Sequence, residues 1–590
     1  MQPCSKLDRW AMSPELQASA SAPGQTWQAL QAELTAITVS RQFRPPHRSG
    51  MRLAAGFAAV VVCAWLGIAA GSPVLYDAVA LELATTVCER RNQACERCPR
   101  VHAGPPIVRA FAVSDAQQPT RSQATALKLA NLQAAWTLLD SARGANGLSG
   151  DSLLVVLPEY GLTGPDFPTR DSVLPFGERV PAPWLAEVPC GNSTLATLSP
   201  AVENASCTAR TTGADIVVDV PEVEPCLPSD TSCPPDGRRQ FNTLVALRGS
   251  DGAVVGRYRK RNLYYEPAFD PGTASGGAPW FDSSFGVRIG LMICFDIMFR
   301  QPSADILSAG VRDVAYSTWW VNVPPFLTGT QVQAGWANAS GANVVAAGAG
   351  HNGWRSAGSG VYAMAEGSEG RMRTTFKPNS SSPQEAAVAL AGLVGRRFEA
   401  ERGADRRGGR AAAGAAAGAQ AQRRGARWLI NETKFVPGAP QRVSAAVDGV
   451  DCELELEAGP TANQVYAVVA AQGWYNGLFP TVMCGVCACA NGSLPCFEGQ
   501  GTLAATGQLK AAELRMTVCN STRDPLSTWR VYANAADGDA QTLNPQGGFA
   551  ASGLARSPAG AECAEERLSL VVGVPVLDAM LYGVSFAVPG

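Results

Sequence analysis

Short apolar runs bounded by Gly, Pro, Asp or Asn recur along the first two thirds of the chain. Residues 74–81, 153–157, 215–220, 243–247, 254–258, 287–293, 313–317 and 343–347 are rich in Val and Ile, which predicts strands. Asp251-Gly252 joins two of them in the manner of a hairpin turn. Between the first two strands, Leu127, Ala130, Leu132, Ala135, Leu138 and Leu139 recur at helical spacing and predict a helix over 122–143. A second packed helix is expected over 331–342. Strands alternating with helices make residues 73–400 a layered α/β domain. Residues 402–427, RGADRRGGRAAAGAAAGAQAQRRGAR, break the pattern. They are basic, low in complexity and almost free of large apolar side chains, so 401–427 reads as a flexible linker rather than a polyanion-binding arm. From 428 to 590, short β-like runs alternate with turns and carry seven cysteines, the pattern of a disulfide-stapled β-rich domain.

Upstream, Met51-Arg52 opens an uncharged run from 53 to 70 that ends at Gly71-Ser72-Pro73. That is the layout of a secretory signal peptide over 51–72, placed behind a polar extension, 1–50. Either translation starts at Met51 and the extension is not made, or the run is a signal anchor behind a cytoplasmic tail, in which case 53–70 is the one membrane contact. Both readings send the rest of the chain to an oxidising lumen. Seven Asn-X-Ser/Thr sequons, at Asn192, Asn204, Asn338, Asn379, Asn431, Asn491 and Asn520, agree and predict N-glycans. Asn338 falls in the expected packed helix, so its sequon is expected to stay unused.

Composition narrows the chemistry. Of the 590 residues 46% are hydrophobic and 17% charged, which excludes a highly charged disordered chain. A formal net charge of -2 gives no global field toward nucleic acid, and no nucleic-acid partner is expected. With three histidines, His47, His102 and His351, a His-rich metal site or a Ser-His-Asp relay has few candidates. No metal and no organic cofactor is expected.

The 17 cysteines suit a secreted protein. Cys4 and Cys63 lie in the tail and the signal, leaving an odd number downstream and therefore at least one unpaired thiol. Cys294 is the expected one, because it ends the apolar run RIGLMIC with no other cysteine near it in sequence. Cys226 with Cys233, and Cys190 with Cys207, are expected to close loops. The Cys95-Glu-Arg-Cys98 and Cys484-Gly-Val-Cys487-Ala-Cys489 spacings suit zinc as well as disulfides, and the secretory signal favours disulfides.

Three strand ends carry reactive side chains: Glu159 after LLVVLP, Lys260 within GRYRKRN, and Cys294. Ligands collect at such ends in open α/β sheets. Each alone has a bland reading, respectively a solvated carboxylate, one member of a surface basic stripe, and an inert buried thiol. Together they form an acyl-transfer set that needs no histidine. Lys260 would lower the thiol pKa and stabilise an oxyanion, while Glu159 takes the thiol proton and later activates water.

LPEYGLTG around Glu159, CPPDGRRQFNT at 233–243, GRYRKRNLYYE around Lys260, FDSSFGVRIGLMICFDIMFRQP around Cys294 and GSGVY at 358–362 resemble the nitrilase superfamily, in its biotinidase and vanin branch. The resemblance covers about 74–400, and more loosely the Cys-rich segment through LSLVVGVPVL. It implies an α-β-β-α sandwich followed by a smaller β-rich base domain. It also implies Glu159 as general base, Lys260 as oxyanion stabiliser and Cys294 as nucleophile. Glu266 resembles an additional glutamate that such sites place beside the triad, and His351 and Trp320 fall where supporting pocket residues are expected. Trp319 stands where the branch has a small residue, which leaves the substrate open. The stretch 87–119 is an insertion. The ending SFAVPG does not resemble a lipid-anchor signal.

The resemblance implies a secreted hydrolase of linear carboxamides working through a Cys thioester. The alternatives are an N-acyltransferase using the same thioester and a catalytically weak ligand-binding member of the fold.

Overall fold

The computed structural model describes residues 73–88, 108–111, 118–148, 152–321, 327, 329–350, 358–365, 371–374, 386–396, 429–436, 438–456, 465–475, 479–489, 512–519, 529–537, 549–555, 563–570 and 576–585. The extension 1–50, the run 53–70, most of the insertion 87–119, Cys95, Cys98, the linker 401–427 and all three histidines, His351 included, lie outside the described residues.

Among the described residues the α/β region has thirteen strands. They are β1 (Pro73–Cys88), β2 (Val108–Phe111), β3 (Leu153–Val156), β4 (Asp215–Pro225), β5 (Arg238–Leu247), β6 (Val254–Arg259), β7 (Trp280–Asp282), β8 (Arg288–Ile293), β9 (Asp313–Thr318), β10 (Asn343–Gly350), β11 (Gly360–Ala363), β12 (Arg371–Thr374) and β13 (Ala386–Arg396). The helices that flank them are α1 (Arg121–Asn146), α2 (Pro200–Thr212), α3 (Ser303–Ser308) and α4 (Gly329–Ser340).

β1 runs past the end of its apolar pattern because it serves two sheets. Asp77–Ala80 pair in parallel with β3, whereas Leu83 and Ala84 pair in parallel with β10. One sheet therefore reads β6-β5-β4-β3-β1, with β13 antiparallel along β1, and the other reads β10-β9-β8-β7, with β11 beside β10. Period-2 alternation divides the first sheet cleanly. Tyr76, Ala78, Leu154, Val156, Leu244 and Ala246 face a core shared with Ile289, Leu291, Ile293, Val314 and Val344 of the second sheet. Val79, Leu81, Leu153, Val155, Ile216 and Val218 instead meet Leu132, Ala135 and Leu139 of α1 and Ala201, Val202 and Ala205 of α2. With Ile306 of α3 and Val332 and Trp336 of α4 packed on the second sheet's core, the layering is α-β-β-α.

The β4–β5 hairpin is longer than the hydrophobic pattern foretells, pairing Ile216–Pro225 with Arg238–Leu247, because the Cys226–Cys233 disulfide closes its polar tip. Cys190–Cys207 is also bonded, as expected from spacing. In the Cys-rich segment Cys484 bonds Cys452 and Cys489 is disulfide-bonded, so disulfides take two of the three cysteines there that zinc spacing also suited.

The C-terminal region is β-rich. Its strands are β14 (Leu429–Phe435), β15 (Gln441–Val447), β16 (Val450–Leu456), β17 (Tyr466–Tyr475), β18 (Phe479–Ala488), β19 (Ala512–Cys519), β20 (Trp529–Asp537), β21 (Phe549–Ala555), β22 (Cys563–Leu570) and β23 (Val576–Ser585). They form two five-stranded antiparallel sheets, β14-β17-β18-β23-β20 and β15-β16-β19-β22-β21. Alternation on β17 sends Tyr466, Val468 and Ala470 into the sandwich between them, against Cys452, Leu454 and Leu514. Ala467, Val469 and Ala471 point the other way and join the core of the α/β region.

Candidate active site

Lys260 sits one residue beyond β6, in a segment with four basic residues in five positions. The strand's alternation sorts them. Gly256, Tyr258 and Lys260 are buried, while Arg257 and Arg259 turn to the opposite face and bind Glu222, and Arg261 binds Asp305. Lys260 is the inward member of the stripe, with 2% of its surface exposed.

Its ammonium donates to Glu159 Oε1 and to Glu266 Oε2, each at 2.7 Å. Glu159 lies beyond β3, in the turn Leu157-Pro158-Glu159-Tyr160. Asn242 of β5 joins the two carboxylates from the other side, its Nδ2 donating at 2.9 Å to Glu159 Oε1 and to Glu266 Oε1. The remaining oxygen of Glu159 accepts the backbone N–H of Trp319, just past β9, at 2.7 Å. Glu266 also accepts from the Tyr160 hydroxyl and from Tyr264 N.

Cys294 ends β8 and opens a 3-10 turn over Cys294–Met298. Its φ of +41° is in the left-handed region, unusual for a side chain other than Gly and typical of a residue forced into view at a strand end. Asp296 holds that turn to the lysine segment. Its carboxylate accepts from Tyr258 Oη at 2.8 Å, from Asn262 N at 3.0 Å, from Asn262 Nδ2 at 2.8 Å and from Ile293 N at 3.2 Å. The Tyr316 hydroxyl, at 2.8 Å from the Cys294 carbonyl oxygen, pins the other side.

Cys294 is a free, buried thiol that faces Glu159 and Lys260, with the Thr318 hydroxyl and the Trp319 N–H beside it. The four strand ends of β3, β6, β8 and β9 thus bring Glu159, Lys260, Cys294 and Trp319 into one cluster.

Lys260 pulls the thiol pKa down, as the strand-end set implies, but burial and the Glu159 charge outweigh Lys260, Thr318 and the Trp319 N–H, so the thiol is raised. These surroundings favour the neutral sulfur. Glu159 is raised by burial against the opposing pull of Lys260, and the neighbouring Glu266 charge adds to the rise. Burial pulls Lys260 down, but Glu159 and Glu266 outweigh it and favour the charged ammonium. Glu266 is lowered, since Lys260 and its hydrogen-bond donors overcome burial. Burial lifts Asp296 to about 6.

Glu266 therefore belongs to the same cluster as Glu159, Lys260 and Cys294. Trp320 is packed in the shared core, with Nε1 donating at 2.8 Å to Leu327 O, and is not in the cluster's hydrogen-bond network. Trp319 packs its ring with Tyr160, Phe167 and Phe269. Sequence reasoning passed over Asn242, although it lies inside the CPPDGRRQFNT stretch. It also passed over the backbone N–H of Trp319, which no side-chain pattern reveals.

Residues 112–328 match the family described as Carbon-nitrogen hydrolase. The chain is 38% identical over 211 residues to Biotinidase of Rattus norvegicus, an alignment spanning 35% of this chain and 40% of that protein. It is 33% identical over 250 residues to Pantetheinase of Mus musculus, spanning 41% of this chain and 46% of that protein. The chain thus spans less than half the length of these curated relatives. Among solved structures it is similar to Saccharomyces cerevisiae Nit3, a member of branch 10 of the nitrilase superfamily, at 17% identity and a TM-score of 0.36, covering 54% of this chain and 90% of that one.

Proposed function

We propose that this chain, whose residues 112–328 form a carbon-nitrogen hydrolase domain, is an amidohydrolase that cleaves linear carboxamides through a thioester on Cys294. The observation that carries the reading is one ammonium, Lys260, bound by the buried carboxylate of Glu159 and the part-buried carboxylate of Glu266 beside a free thiol at the strand ends.

A neutral thiol next to a carboxylate of raised pKa suits proton transfer in step with attack. Glu159 takes the Cys294 proton as sulfur bonds to the amide carbon, and the oxygen that gains the electron pair is stabilised by the Lys260 ammonium. The adduct collapses with cleavage of the C–N bond, and the amine leaves with the proton that Glu159 held. Water then gives a proton to Glu159 and its hydroxyl to the thioester carbon; the C–S bond breaks, the proton returns to sulfur, and a carboxylic acid is released. Glu266, kept ionised, keeps Lys260 charged through both halves. Asn242 holds the two carboxylates in register.

The acyl groups that the likeness to biotinidases and pantetheinases suggests are biotinyl and pantothenoyl. Secretion, N-glycosylation at the sequons, cleavage of 51–72 as a signal, and 401–427 as a linker between a catalytic domain at 73–400 and a base domain at 428–590 belong to the same reading. Three disulfides among the described residues support the oxidising compartment.

The test is to incubate the protein and its Cys294→Ala variant with a biotinyl amide and with pantetheine and to follow the acid released. Cleavage of one substrate by the wild type alone supports the reading. Equal cleavage by the variant overturns it.

A further inference from the structure

The cluster holds a third carboxyl group that the proposed chemistry does not use. Asp219 of β4 is buried, and its Oδ1 accepts the backbone N–H of Tyr160 at 2.9 Å. Its Oδ2 is buried without a hydrogen-bond partner. The titratable groups facing it are Glu159 and Tyr160 from the turn after β3, and Lys260 and Glu266 from the segment after β6. Three carboxyls thus share one ammonium, and both hydrogen bonds from that ammonium go to the glutamates. A second uncompensated negative charge in a largely buried cluster is costly, and an oxygen with no donor is the least stable place to put it. Burial and the Glu159 charge push Asp219 well above the usual carboxylate range, in the direction the geometry requires.

Asp219 also supports the turn that carries the general base. Tyr160 has φ +53°, a strained value for a residue with a side chain, and its hydroxyl reaches Glu266. The bond from Tyr160 N to Asp219 thereby fixes the backbone between the two glutamates that hold Lys260.

We propose that Asp219 is a positioning residue held as a neutral carboxylic acid behind Glu159, locking the Tyr160 turn while adding no charge to the cluster. The role rests on the amidohydrolase reading; the protonation state does not.

Two variants separate geometry from charge. Asp219→Asn keeps an acceptor for Tyr160 N–H and mimics the neutral acid, whereas Asp219→Ala removes the acceptor. Infrared difference spectra of wild type minus Asp219→Asn at neutral pH are expected to contain the carbonyl stretch of a protonated carboxylic acid. Site-resolved alkylation of Cys294 at neutral pH is expected to run at the same rate in Asp219→Asn as in the wild type, because neither a neutral acid nor an amide places a charge near the thiol. With a cleaved amide, Asp219→Ala is expected to lose about 10²-fold in kcat and Asp219→Asn to recover most of it. Absence of the acid band, faster Cys294 alkylation in Asp219→Asn than in the wild type, or an Asn variant as impaired as the Ala variant overturns the proposal. Failure of the wild type to cleave any amide leaves the first two readouts intact and counts against the function instead.

Discussion

Two lysines are buried among the described residues, each against glutamate, and they have opposite characters. Lys128 of α1 is fully buried with Glu178 and donates at 2.8 Å to Phe176 O. Glu178 uses its oxygens further, accepting the N–H groups of Ala201 and Val202 at the start of α2. Helix N-termini favour such a charge. Burial outweighs Glu178 there and lowers the Lys128 pKa. Lys260 is as deeply buried but faces two carboxylates, which raise it despite burial. Polar atoms without partners gather around the second lysine: Asn242 Oδ1 and Asp219 Oδ2. The Lys128 pair bridges α1 to the start of α2 and leaves none of its own atoms unmatched. The Lys260 cluster keeps charge and bonding capacity in reserve, as a site must if it is to meet a substrate.

Replacing each lysine by Met breaks the comparison most strongly. Lys260→Met is expected to lower kcat about 10³-fold, the scale of losing an oxyanion donor, with a much smaller change in thermal midpoint. Lys128→Met leaves Glu178 buried without its cation and is expected to cost about 3 kcal/mol in denaturant titration, with turnover per folded molecule retained. Adding Glu178→Leu to Lys128→Met is expected to recover part of that stability. If Lys128→Met lowers turnover per folded molecule as Lys260→Met does, the division between structural and functional pairs is wrong.

Asn242→Ala removes a donor shared by both glutamates. A hydrogen bond to a charged group contributes about 1.5–3 kcal/mol, so kcat is expected to fall about tenfold or more. The same assay on Asn131→Ala, which loses a bond from Nδ2 to Leu162 O beside Lys128, is expected to lower stability rather than turnover.

The smallest effect is on pH. Asp296 is raised to about 6 by burial, so its folded pKa exceeds its unfolded one. The fold binds the proton more tightly than the unfolded chain, and Asp296 therefore adds stability below its unfolded pKa that is lost as pH rises through about 6. Activity has the opposite slope: the ionised carboxylate accepts the four donors that seat Cys294 and Asn262, and turnover is expected to fall as pH drops through about 6. A pH–kcat profile without an acid limb there contradicts this.

Much of the site was legible before any coordinates because its parts are strand ends, and strand ends are marked by local pattern. LLVV stops at Pro158, VVGRYR at Lys260 and RIGLMI at Cys294. Even the inward turn of Lys260 follows from period 2, since Tyr258 and Lys260 share a face that Arg257, Arg259 and Arg261 do not. The extra length of β1 was not legible, because it comes from pairing with β10, more than 250 positions away, and with β2 rather than from its own apolar residues.

Alternation, turn residues and the charge at the end of each apolar run depend on neighbours a few positions apart, and these determined the strands, the helices, the two short disulfide loops and the identities of Glu159, Lys260 and Cys294. Protonation is a property of surroundings: burial by the opposed sheets, and partners separated from Glu159 by 83 positions for Asn242, 101 for Lys260 and 160 for Trp319. Tertiary structure alone therefore set the raised thiol pKa, the raised lysine pKa and the place of Asp219 behind Glu159, because desolvation and Coulomb energies act through space and have no period along the chain.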